Sequence, residues 1–503
     1  MNKEILINAE EHEIRIAVVE NGKLEEFYVE RRSRDQMMGN IYKGKIDSIL
    51  PGIGAAFVSI GHERNGFLYL SDVASPHYLF DEEVEGPPET QKHEPRDERS
   101  LAEKGAELIK KGEDILVQVV KEPFGKKGAR LTTHITMPGR YLVAMPYNGH
   151  VGVSKRIQDF RERDRLRALL NSLRLPQDMG FIVRTAGQGK GKKEFARDVR
   201  YLGTLWHRIQ VKAKRQESLS LVHEEHDLVL RTVRDSLSED IDKLIIDSKA
   251  EYKKALHFLR SIVPDLQKKL IFYQEEVPLF KKKGIDEEIE KIYARKVYLK
   301  SGAHIVIEKT EGLVAVDVNT GKFTGKKKQE DTAFKVNLEA ADEIARQVRL
   351  RDIGGIIVID FIDMAMEEHR RHLFRAIVDH FRRDKAKTNI LSISEIGIVE
   401  MTRQRMRQDP ESVSYQSCPY CQGRGSIKSV ETVAIHAVRE AKKFFSQMGN
   451  RTEAILSVHP DVAVYLLRDN RRSLNLLERN FSARIILCED PKLHVEDVRM
   501  TPV

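Results

Sequence analysis

Residues 304–401 alternate strand-like apolar runs with stretches that have helical spacing. HIVIEKT, LVAVDVN, IIVIDFID and ILSISEIGIVEM have the composition of strands, and apolar residues recur at intervals of three and four across 331–351 and 367–383. Short apolar runs predict strands, whereas the three-and-four spacing predicts amphipathic helices. This alternation predicts a sheet with helices packed on its faces.

At 503 residues the chain is longer than one hydrophobic core usually organises. With roughly 150 residues per domain, three or four folding units are expected. Residues 2–30 contain two short apolar segments and an Asn-Gly turn signal, which predict a strand pair that opens a sheet. From Gly39 onward, β-rich runs alternate with Pro-Gly, Gly and Asn-Gly, and EDILVQVVKEP supplies a later strand. This block predicts a five-stranded OB-type barrel.

The other segments differ from the barrel in composition. Residues 81–104 are polar and almost free of large apolar side chains, so they predict a solvated loop insertion without fixed structure. Residues 131–185 mix strand and helix patterns and predict a second α/β unit. Long helices are predicted over 195–218 and 239–270, and the residues from 428 onward predict a separate small domain of helices and strands.

Charge and hydropathy limit the class of protein. The 85 Lys and Arg against 77 Asp and Glu give a net charge of +8, which permits a polyanionic partner without requiring one. Charges interrupt the N-terminal MNKEILINAEEHE, and the strongest apolar run, GGIIVIDFID, is far shorter than the ~20 residues that span a bilayer. We therefore expect no membrane insertion and a cytoplasmic location.

Two acids follow strand-like apolar runs, Asp317 in LVAVDVN and Asp360 in IIVID. If the strands are neighbours, the carboxylates converge at one edge of the sheet, where they can hold Mg²⁺. Asn319 points to the same side as Asp317 and could orient a phosphate or a water molecule, and Asp363 is a third candidate ligand. The lysine-rich loop NTGKFTGKKKQ that follows suits a phosphate-bearing substrate or a solvated basic hairpin. The alternative for the acids is that they cap turns or helices.

Cys418 and Cys421 form the single Cys-x-x-Cys motif of the chain, in CPYCQGRG. A closed structural zinc site needs four ligands, so the simplest completion is a Cys₄ site shared with a second copy of the protein. A redox pair and a pair without a role are the alternatives. Cys488, in ARIILCED, is interpreted as a buried small apolar residue.

Aromatic and basic residues are interleaved in the barrel block. Phe57 and Phe67, with Tyr42 nearby, lie among lysines and arginines, a combination that stacks bases and neutralises phosphates. The alternative is that these aromatic side chains fill the core of a small barrel.

Long motifs carry a family resemblance that extends over essentially the whole chain. DVNTGKFTG, NLEAADEIARQVRLRDIGGIIVIDFIDM and CPYCQGRG, together with NIYKGKI, GAAFVSIG, GFLYL, LTTHI and GFIVRTAG, resemble the catalytic domains of the ribonuclease E/G family. The length is closer to the G type than to the longer E type. The resemblance implies a multidomain α/β and α+β fold, in which an RNase H-like domain is discontinuous. The implied parts are the RNase H-like domain (1–36 and 230–292), an OB-fold RNA-binding domain (37–127), a 5′-sensor domain (128–229), a deoxyribonuclease-I-like catalytic domain (293–414), a zinc link (415–427) and a small C-terminal α/β domain (428–503).

The resemblance also implies roles for individual residues. Asp317 and Asp360 match the aspartates that hold the catalytic Mg²⁺, and Asn319 matches the residue that supports them. Cys418 and Cys421 match the cysteines that share a structural Zn²⁺ between protomers. The implied RNA contacts are Phe57, Phe67 and Lys127, and the implied 5′-monophosphate sensor consists of Gly139, Val143, Arg184 and Thr185.

Lys155 and Lys387 stand where the family pattern has arginines near the sensor. Lysine keeps the charge but loses the bidentate geometry of arginine, so the strength of 5′-end sensing is open.

The function that the resemblance implies is an endoribonuclease. It would hydrolyse single-stranded, A/U-rich RNA with Mg²⁺, prefer 5′-monophosphorylated ends, and leave a 5′-phosphate and a 3′-hydroxyl. Its substrates would be ribosomal RNA precursors and messenger RNA, in 5′-end processing and decay. The protein would be a homodimer through the zinc link, or a homotetramer. The alternatives are a non-catalytic RNA-binding or ribosome-assembly factor, and a deoxyribonuclease.

Overall fold

The computed structural model describes residues 2–31, 37–74, 84–85, 98–123, 127–147, 149–320, 329–394, 396–405, 410–448 and 453–503. These residues form two compact units, Met1–Val413 and Ser414–Val503.

The strands are numbered in chain order. They are β1 (Lys3–Ala9), β2 (Glu13–Glu20), β3 (Lys23–Arg31), β4 (Ile41–Leu50), β5 (Ala55–Ser59), β6 (Gly66–Tyr69), β7 (Val84–Glu85), β8 (Asp114–Lys121), β9 (Arg130–Thr132), β10 (Met137–Pro138), β11 (Leu142–Pro146), β12 (Val151–Ser154), β13 (Met179–Val183), β14 (Ser220–His223), β15 (Lys243–Ile246), β16 (Leu270–Phe272), β17 (Lys296–Tyr298), β18 (His304–Lys309), β19 (Leu313–Asn319), β20 (Gly355–Asp360), β21 (Thr388–Ile390), β22 (Ile398–Arg403), β23 (Glu453–Val458), β24 (Arg484–Glu489) and β25 (Val498–Pro502).

The helices are α1 (Leu70–Ala74), α2 (Glu98–Leu108), α3 (Phe160–Asn171), α4 (Lys192–Arg215), α5 (Leu228–Ser236), α6 (Lys249–Ile262), α7 (Leu279–Lys282), α8 (Asp286–Tyr293), α9 (Gln329–Leu350), α10 (Glu367–Phe381), α11 (Pro410–Ser414), α12 (Val430–Met448), α13 (Pro460–Arg468) and α14 (Arg471–Phe481). Among the described residues, no helix is long and apolar enough to cross a membrane.

One sheet of the first unit joins segments that are far apart in sequence. Its order is β16-β15-β1-β2-β3, with β1 parallel to β15 and antiparallel to β2. Asn21 and Gly22 adopt positive φ angles of 51° and 81° between β2 and β3, as a tight hairpin turn requires. The predicted strand pair is therefore part of a larger sheet, completed by residues more than 200 positions later. Its assignment as RNase H-like stays a prediction.

The second sheet is the predicted five-stranded barrel. Its strands follow the order β4-β5-β6-β9-β8, and β8 pairs with β4 to close the barrel. A sixth strand, β14, pairs antiparallel with residues 41–43 of β4. The barrel core contains alternate residues of these strands, such as Ile46, Val58 and Leu68. Closure removes exposed strand edges, which is the stabilising feature of small barrels.

The third sheet, β10-β11-β13-β12-β7, packs against α3 and α4. Two sequence predictions need correction in and beside it. Residues 81–104 are not wholly without structure, because β7 pairs with β12 and α2 begins at Glu98; the remainder, 81–83 and 86–97, lies outside the described residues. Residues 239–270 are not one long helix, because β15 precedes α6 and a 3₁₀ turn begins at Pro264.

The fourth sheet contains the alternating strands and helices predicted for 304–401. Its order is β17-β18-β19-β20-β22-β21, with β19 and β20 parallel and the other neighbours antiparallel. Helices α9 and α10 cover one face, and their apolar side chains join those of the strands in one core. The polar residues of β19 and β20 lie on the opposite face.

The second unit is a small α/β domain. Its sheet has the order β24-β23-β25, with β23 parallel to β24 and antiparallel to β25. Helices α12, α13 and α14 contribute buried Ala434, Ala463 and Leu474 to its core. Cys488 on β24 is exposed, so its interpretation as a buried apolar residue was wrong.

Arg403 of β22 is a buried cation at the base of the fourth sheet. Its guanidinium donates to Asp384 and Asp352 at 2.7 Å each and to the carbonyl of Ile353 at 2.8 Å. The side chains of Arg403 and Asp384 are only 4% and 3% exposed. Burial lowers the pKa of Arg403, but the two aspartates outweigh burial and raise it. The two carboxylates neutralise the buried cation, and its bonds connect β22 with residues 352–353 and with residue 384.

We predict that Arg403→Met destabilises the first unit by about 3–5 kcal/mol, because it leaves Asp384 and Asp352 buried without their cation. The measurement is the denaturant midpoint of unfolding. Arg382→Met is the matched control, since Arg382 is 75% exposed and bonds Asp379 on the surface, where ion pairs contribute little. Equal midpoints for the two variants would contradict this account of Arg403.

Candidate active site

Asp317 and Asp360 are direct cross-strand partners at the carboxyl ends of parallel β19 and β20. Both side chains are exposed. Directly opposite residues of neighbouring strands point to the same face, and the strands lie about 4.8 Å apart. Both acids were predicted to lie near strand ends and to converge only if the two strands were neighbours, and β19 and β20 are neighbours.

Asn319 fixes the orientation of the first acid. Its side-chain Nδ2 donates to Oδ2 of Asp317 at 2.6 Å. The two residues are two positions apart on β19 and therefore share a face. Among the described residues, no other hydrogen bond to the carboxylate of Asp317 or Asp360 occurs. Residues 321–328, which contain most of the lysine-rich loop, lie outside the described residues.

Like charges act on Asp360. Burial raises its pKa, and the neighbouring carboxylates of Asp317 and Asp363 raise it further. Within the described residues, neither Asp317 nor Asp360 accepts a backbone hydrogen bond that would cap a helix or turn, so the capping alternative has no support here. Two uncompensated carboxylates side by side favour a cation between them.

The described residues satisfy part of a metal site. Two carboxylates with an adjacent amide oxygen are donors that a hard cation such as Mg²⁺ accepts, with water or phosphate oxygens completing the octahedron. No group of three or more His, Cys, Asp and Glu side chains with metal-binding geometry occurs among the described residues. The arrangement therefore suits a weakly held ion that is completed by a phosphate ligand, not a closed protein cage.

Asn337, which the sequence analysis missed, holds the chain just after Asp360. This fully buried side chain donates from Nδ2 to the carbonyl of Ile362 at 2.8 Å and accepts from its N–H at 3.0 Å. The paired bonds fix the backbone between Asp360 and Asp363. A polar residue on the otherwise apolar face of α9 was the available sequence signal, because buried amides are retained where they satisfy backbone groups.

Glu330, at the start of α9, supports the same loop. Its carboxylate accepts from the backbone N–H groups of Ala365 and Met366, and its Oε1 lies 3.2 Å from Nδ1 of His369. The two backbone N–H groups lower the pKa of Glu330, as expected for a carboxylate at a helix N-terminus. Both ends of the loop from Asp360 to α10 are thus anchored on α9.

The aromatic residues of the barrel divide into two groups. Phe57 and Phe67 are cross-strand partners with edge-to-face rings 5.9 Å apart, and both are half-buried. Tyr69 continues this row at 4.9 Å from Phe67, with Arg130 over its ring at 4.8 Å. Tyr42 instead lies in the barrel core.

The alternative that the aromatic side chains fill the barrel core therefore holds for Tyr42, but not for the half-buried Phe57 and Phe67. Lys127 is exposed next to the segment 124–126, which lies outside the described residues. Tyr69 and Arg130 extend the surface row of Phe57 and Phe67, and neither was predicted from the sequence.

The predicted sensor residues lie on the third sheet and the turn beside it. Nη1 of Arg184 donates to the carbonyl of Gly139 and to Asp235, at 2.6 Å each. Both bonds to described residues use Nη1, so Nε and Nη2 are available for a phosphate. Thr185 is the next residue and is exposed, whereas Val143 lies on β11 opposite Ile182.

The carboxylate that Arg184 contacts, Asp235, is held in its ionised form. Burial raises the pKa of Asp235, but Arg234 and Arg184 outweigh burial and hold the pKa at about 2. Lys155 and Lys387 are both exposed.

Asp198 of α4 shapes the turn that contains Gly139. Its buried carboxylate accepts from the N–H groups of Arg140, Tyr141 and Leu142, at 3.2, 2.8 and 2.9 Å. Burial raises the pKa of Asp198 in spite of these three donors. A Cβ at Gly139 would lie 2.7 Å from Asp198 Oδ2, which explains the glycine.

Cys418 and Cys421 lie on a turn of the second unit, exposed and half-buried respectively. The Sγ of Cys421 accepts from the N–H of Gly425 at 3.4 Å, and the N–H groups of Gly425 and Gly423 lower its pKa. Gly423 adopts a φ of 83°, which lets the turn wrap around the sulfur. A lowered thiol pKa favours the thiolate that metal binding requires.

Comparison with known proteins gives the chain its family. The model of the ribonuclease E/G family matches residues 136–406, and that of the RNase E/G thioredoxin-like domain matches residues 417–503. Ribonuclease G of Haemophilus influenzae is 39% identical over 94% of this chain and 93% of its own length. Ribonuclease G of Escherichia coli K12 is 42% identical over 88% and 87%. Ribonuclease E of Haemophilus influenzae is 38% identical over 96% of this chain and 50% of its own length. Since the family model covers more than half of the chain and the G-type relatives align along nearly all of it, the protein belongs to the ribonuclease E/G family.

Proposed function

We propose that this protein is an endoribonuclease that hydrolyses single-stranded RNA at Asp317 and Asp360 with Mg²⁺. The observation that carries the proposal is the direct pairing of these two exposed carboxylates on β19 and β20. The names of the ribonuclease G and E relatives support RNA as the substrate.

The chain's own residues orient the reaction. Asp317 and Asp360 would hold the cation, while Asn319 orients the carboxylate of Asp317 and Asn337 fixes the backbone after Asp360. A Mg²⁺ ion at the pair supplies Lewis acidity, which polarises the phosphodiester and acidifies water. Water adds to phosphorus, the bond from phosphorus to the 3′ oxygen breaks, and that oxygen takes up a proton. The products are a 5′-phosphate and a 3′-hydroxyl.

The barrel would hold the single-stranded RNA near the scissile bond. The Phe57–Phe67 row presents half-exposed rings on which bases can stack, and Lys127 can neutralise a phosphate. Stacking without base-edge contacts tolerates many sequences and suits the unpaired, A/U-rich segments that we propose as substrates.

A 5′-monophosphate would bind at Arg184 and Thr185, beside Gly139 and Val143. Nε and Nη2 of Arg184, which bond none of the described residues, and the hydroxyl of the exposed residue Thr185 offer hydrogen bonds to a charged phosphate. RNA with a processed 5′ end would therefore bind more tightly. We propose ribosomal RNA 5′-end processing and messenger RNA decay in the cytoplasm as the roles.

The second unit would link two copies of the chain. Cys418 and Cys421 supply two thiolates, and a tetrahedral Zn²⁺ site needs four. Two copies complete the site, which makes a homodimer the smallest closed assembly and a homotetramer a pair of such dimers.

We predict that Asp360→Asn lowers the rate of cleavage by roughly two to three orders of magnitude, because Lewis-acid stabilisation is worth several kcal/mol. The measurement is the initial rate on a fluorescent A/U-rich RNA with a 5′-monophosphate and Mg²⁺. Glu400→Gln is the matched control, since Glu400 is an exposed acid on the same face, opposite Val358.

Binding without cleavage by the wild-type protein would favour the RNA-binding-factor alternative. Equal cleavage of DNA of the same sequence would favour a deoxyribonuclease.

We predict that Arg184→Gln removes the preference for 5′-monophosphate over 5′-hydroxyl RNA. Hydrogen bonds to a charged group are worth about 1.5–3 kcal/mol, so any preference of about 10- to 100-fold in kcat/KM should fall to near unity. Arg165→Gln, which alters an exposed ion pair with Glu162, is the control. A preference that persists in Arg184→Gln would place the sensor elsewhere.

We predict that Cys418→Ser reduces bound zinc from about one ion per two chains to near zero and converts the dimer to monomer. Elemental analysis and sedimentation measure the two effects. Cys488→Ser is the matched control, because Cys488 is an exposed thiol of the same unit. An unchanged mass in the zinc-free variant would show that other contacts hold the copies together.

A further inference from the structure

Tyr298 is an exposed aromatic residue on the face of the fourth sheet that carries the two acids. Its side chain is 70% exposed, whereas its neighbour Val297 is buried on the helix-covered face. Large exposed aromatic rings on sheets are the surfaces on which proteins stack unpaired bases. The predicted RNA contacts do not include Tyr298.

The register connects Tyr298 to the acids. Successive cross-strand partners form one row of Tyr298, His304 and Asn319, and a neighbouring row of Lys296, Val306, Asp317 and Asp360. With strands about 4.8 Å apart, Tyr298 lies roughly 10 Å from Asn319, and Lys296 roughly 10 Å from Asp317. The ring is thus within reach of a nucleotide next to a phosphate held at the acids.

A lysine side chain lies beside the ring of Tyr298. Nζ of Lys296 lies 5.1 Å from the ring centroid of Tyr298, and the ring centroid of His304, the next residue of the same row, lies 6.0 Å away. Burial and the charge of Lys296 lower the pKa of His304, against the smaller opposing effect of Asp317. An aromatic ring beside a cation can bind a base and its phosphate together.

We propose that Tyr298, Lys296 and His304 form a nucleotide subsite for single-stranded RNA beside the carboxylate pair. A base stacks on Tyr298 next to His304, and the attached phosphate contacts Lys296. The inference rests on the proposed function, since it assigns this subsite to the same RNA that is cleaved at Asp317 and Asp360.

The distribution of apolar residues favours RNA over a second copy of the chain on this part of the face. The exposed apolar pair Leu313 and Ile356 lies at the opposite end of β19 and β20, four residues and roughly 13 Å from the acids. A second copy would gain most by covering that end. The Tyr298 end offers a cation and an imidazole in register with the acids, which complements a phosphate chain.

The test uses the full chain and a short single-stranded RNA with 2-aminopurine near the cleavage site. Stacking quenches the fluorophore, and binding without added Mg²⁺ separates affinity from cleavage. Tyr298→Ala should weaken binding and raise KM about 5- to 100-fold with kcat nearly unchanged. Tyr298→Phe should restore both quenching and KM. Phe160→Ala, which removes another highly exposed ring, is the control.

Lys296→Gln gives an independent readout. Loss of one phosphate contact should reduce the slope of log K against log salt by about 0.7. Lys309→Gln, at the far end of β18, should leave the slope unchanged.

The proposal is overturned if Tyr298→Ala binds and cleaves as the wild type does, or if Tyr298→Phe is as impaired as Tyr298→Ala. A change in sedimentation mass in Tyr298→Ala, with RNA affinity intact, would assign the ring to contact with a second copy. If the wild type cleaves RNA and the substitutions of Tyr298 have no effect, the subsite is rejected and the proposed nuclease function is not. Quenching that depends on Tyr298, in a wild type that does not cleave, would support the subsite and reject the nuclease.

Discussion

The parallel register of β19 and β20 is the constraint on which the candidate site depends. It places Asp317 directly beside Asp360, and the mutual repulsion of the two carboxylates contributes to the raised pKa of Asp360. Folding alone gains nothing from such a pair. The fold tolerates the repulsion between the two carboxylates because the opposite sides of both strands bury apolar residues against α9 and α10. Asn337 and Glu330 then fix the loop that leaves β20, so the acids are held by rigid elements on which a catalytic geometry can be maintained.

The sequence allowed the site to be predicted because its signals are local. Each acid directly follows an apolar run, and strand propensity together with the two intervening helical patterns is enough to predict a sheet with one covered face. The barrel was predictable for the same reason, since its strands are short and separated by turn residues. The assignment of Phe57 and Phe67 to the barrel surface was not predictable, because an aromatic residue in a strand has the same pattern whether it faces the core or the solvent. Only the closed barrel shows that Tyr42 faces inward.

Other features depend on contacts between distant residues. The four-residue strand β15 lies between polar and helical segments, and its pairing with β1 depends on residues about 240 positions earlier. Nothing in a short window distinguishes it from the start of a helix, which is why 239–270 was predicted as one helix. Asp198 is similar: an acid in a long amphipathic helix is normally solvated, and its three bonds to the turn after Gly139 appear only when α4 packs on the third sheet. Buried polar residues are therefore the part of the site that sequence patterns predict least well.

The turn around residues 384–387 connects three sheets of the first unit. Asp384 bonds Arg403 of the fourth sheet, Lys385 bonds Glu26 of the first sheet through its side chain, and its carbonyl accepts from Arg156 beside the third sheet. Three sheets thus meet at a few charged contacts, one of which is deeply buried. A substrate that occupies a 5′-phosphate pocket and the carboxylate pair together gains affinity only if the span between them is fixed, because a flexible connection would dilute the second contact. Under the proposed function, this polar junction would limit changes in that span within the first unit, so that binding at the third sheet would favour chemistry at the fourth.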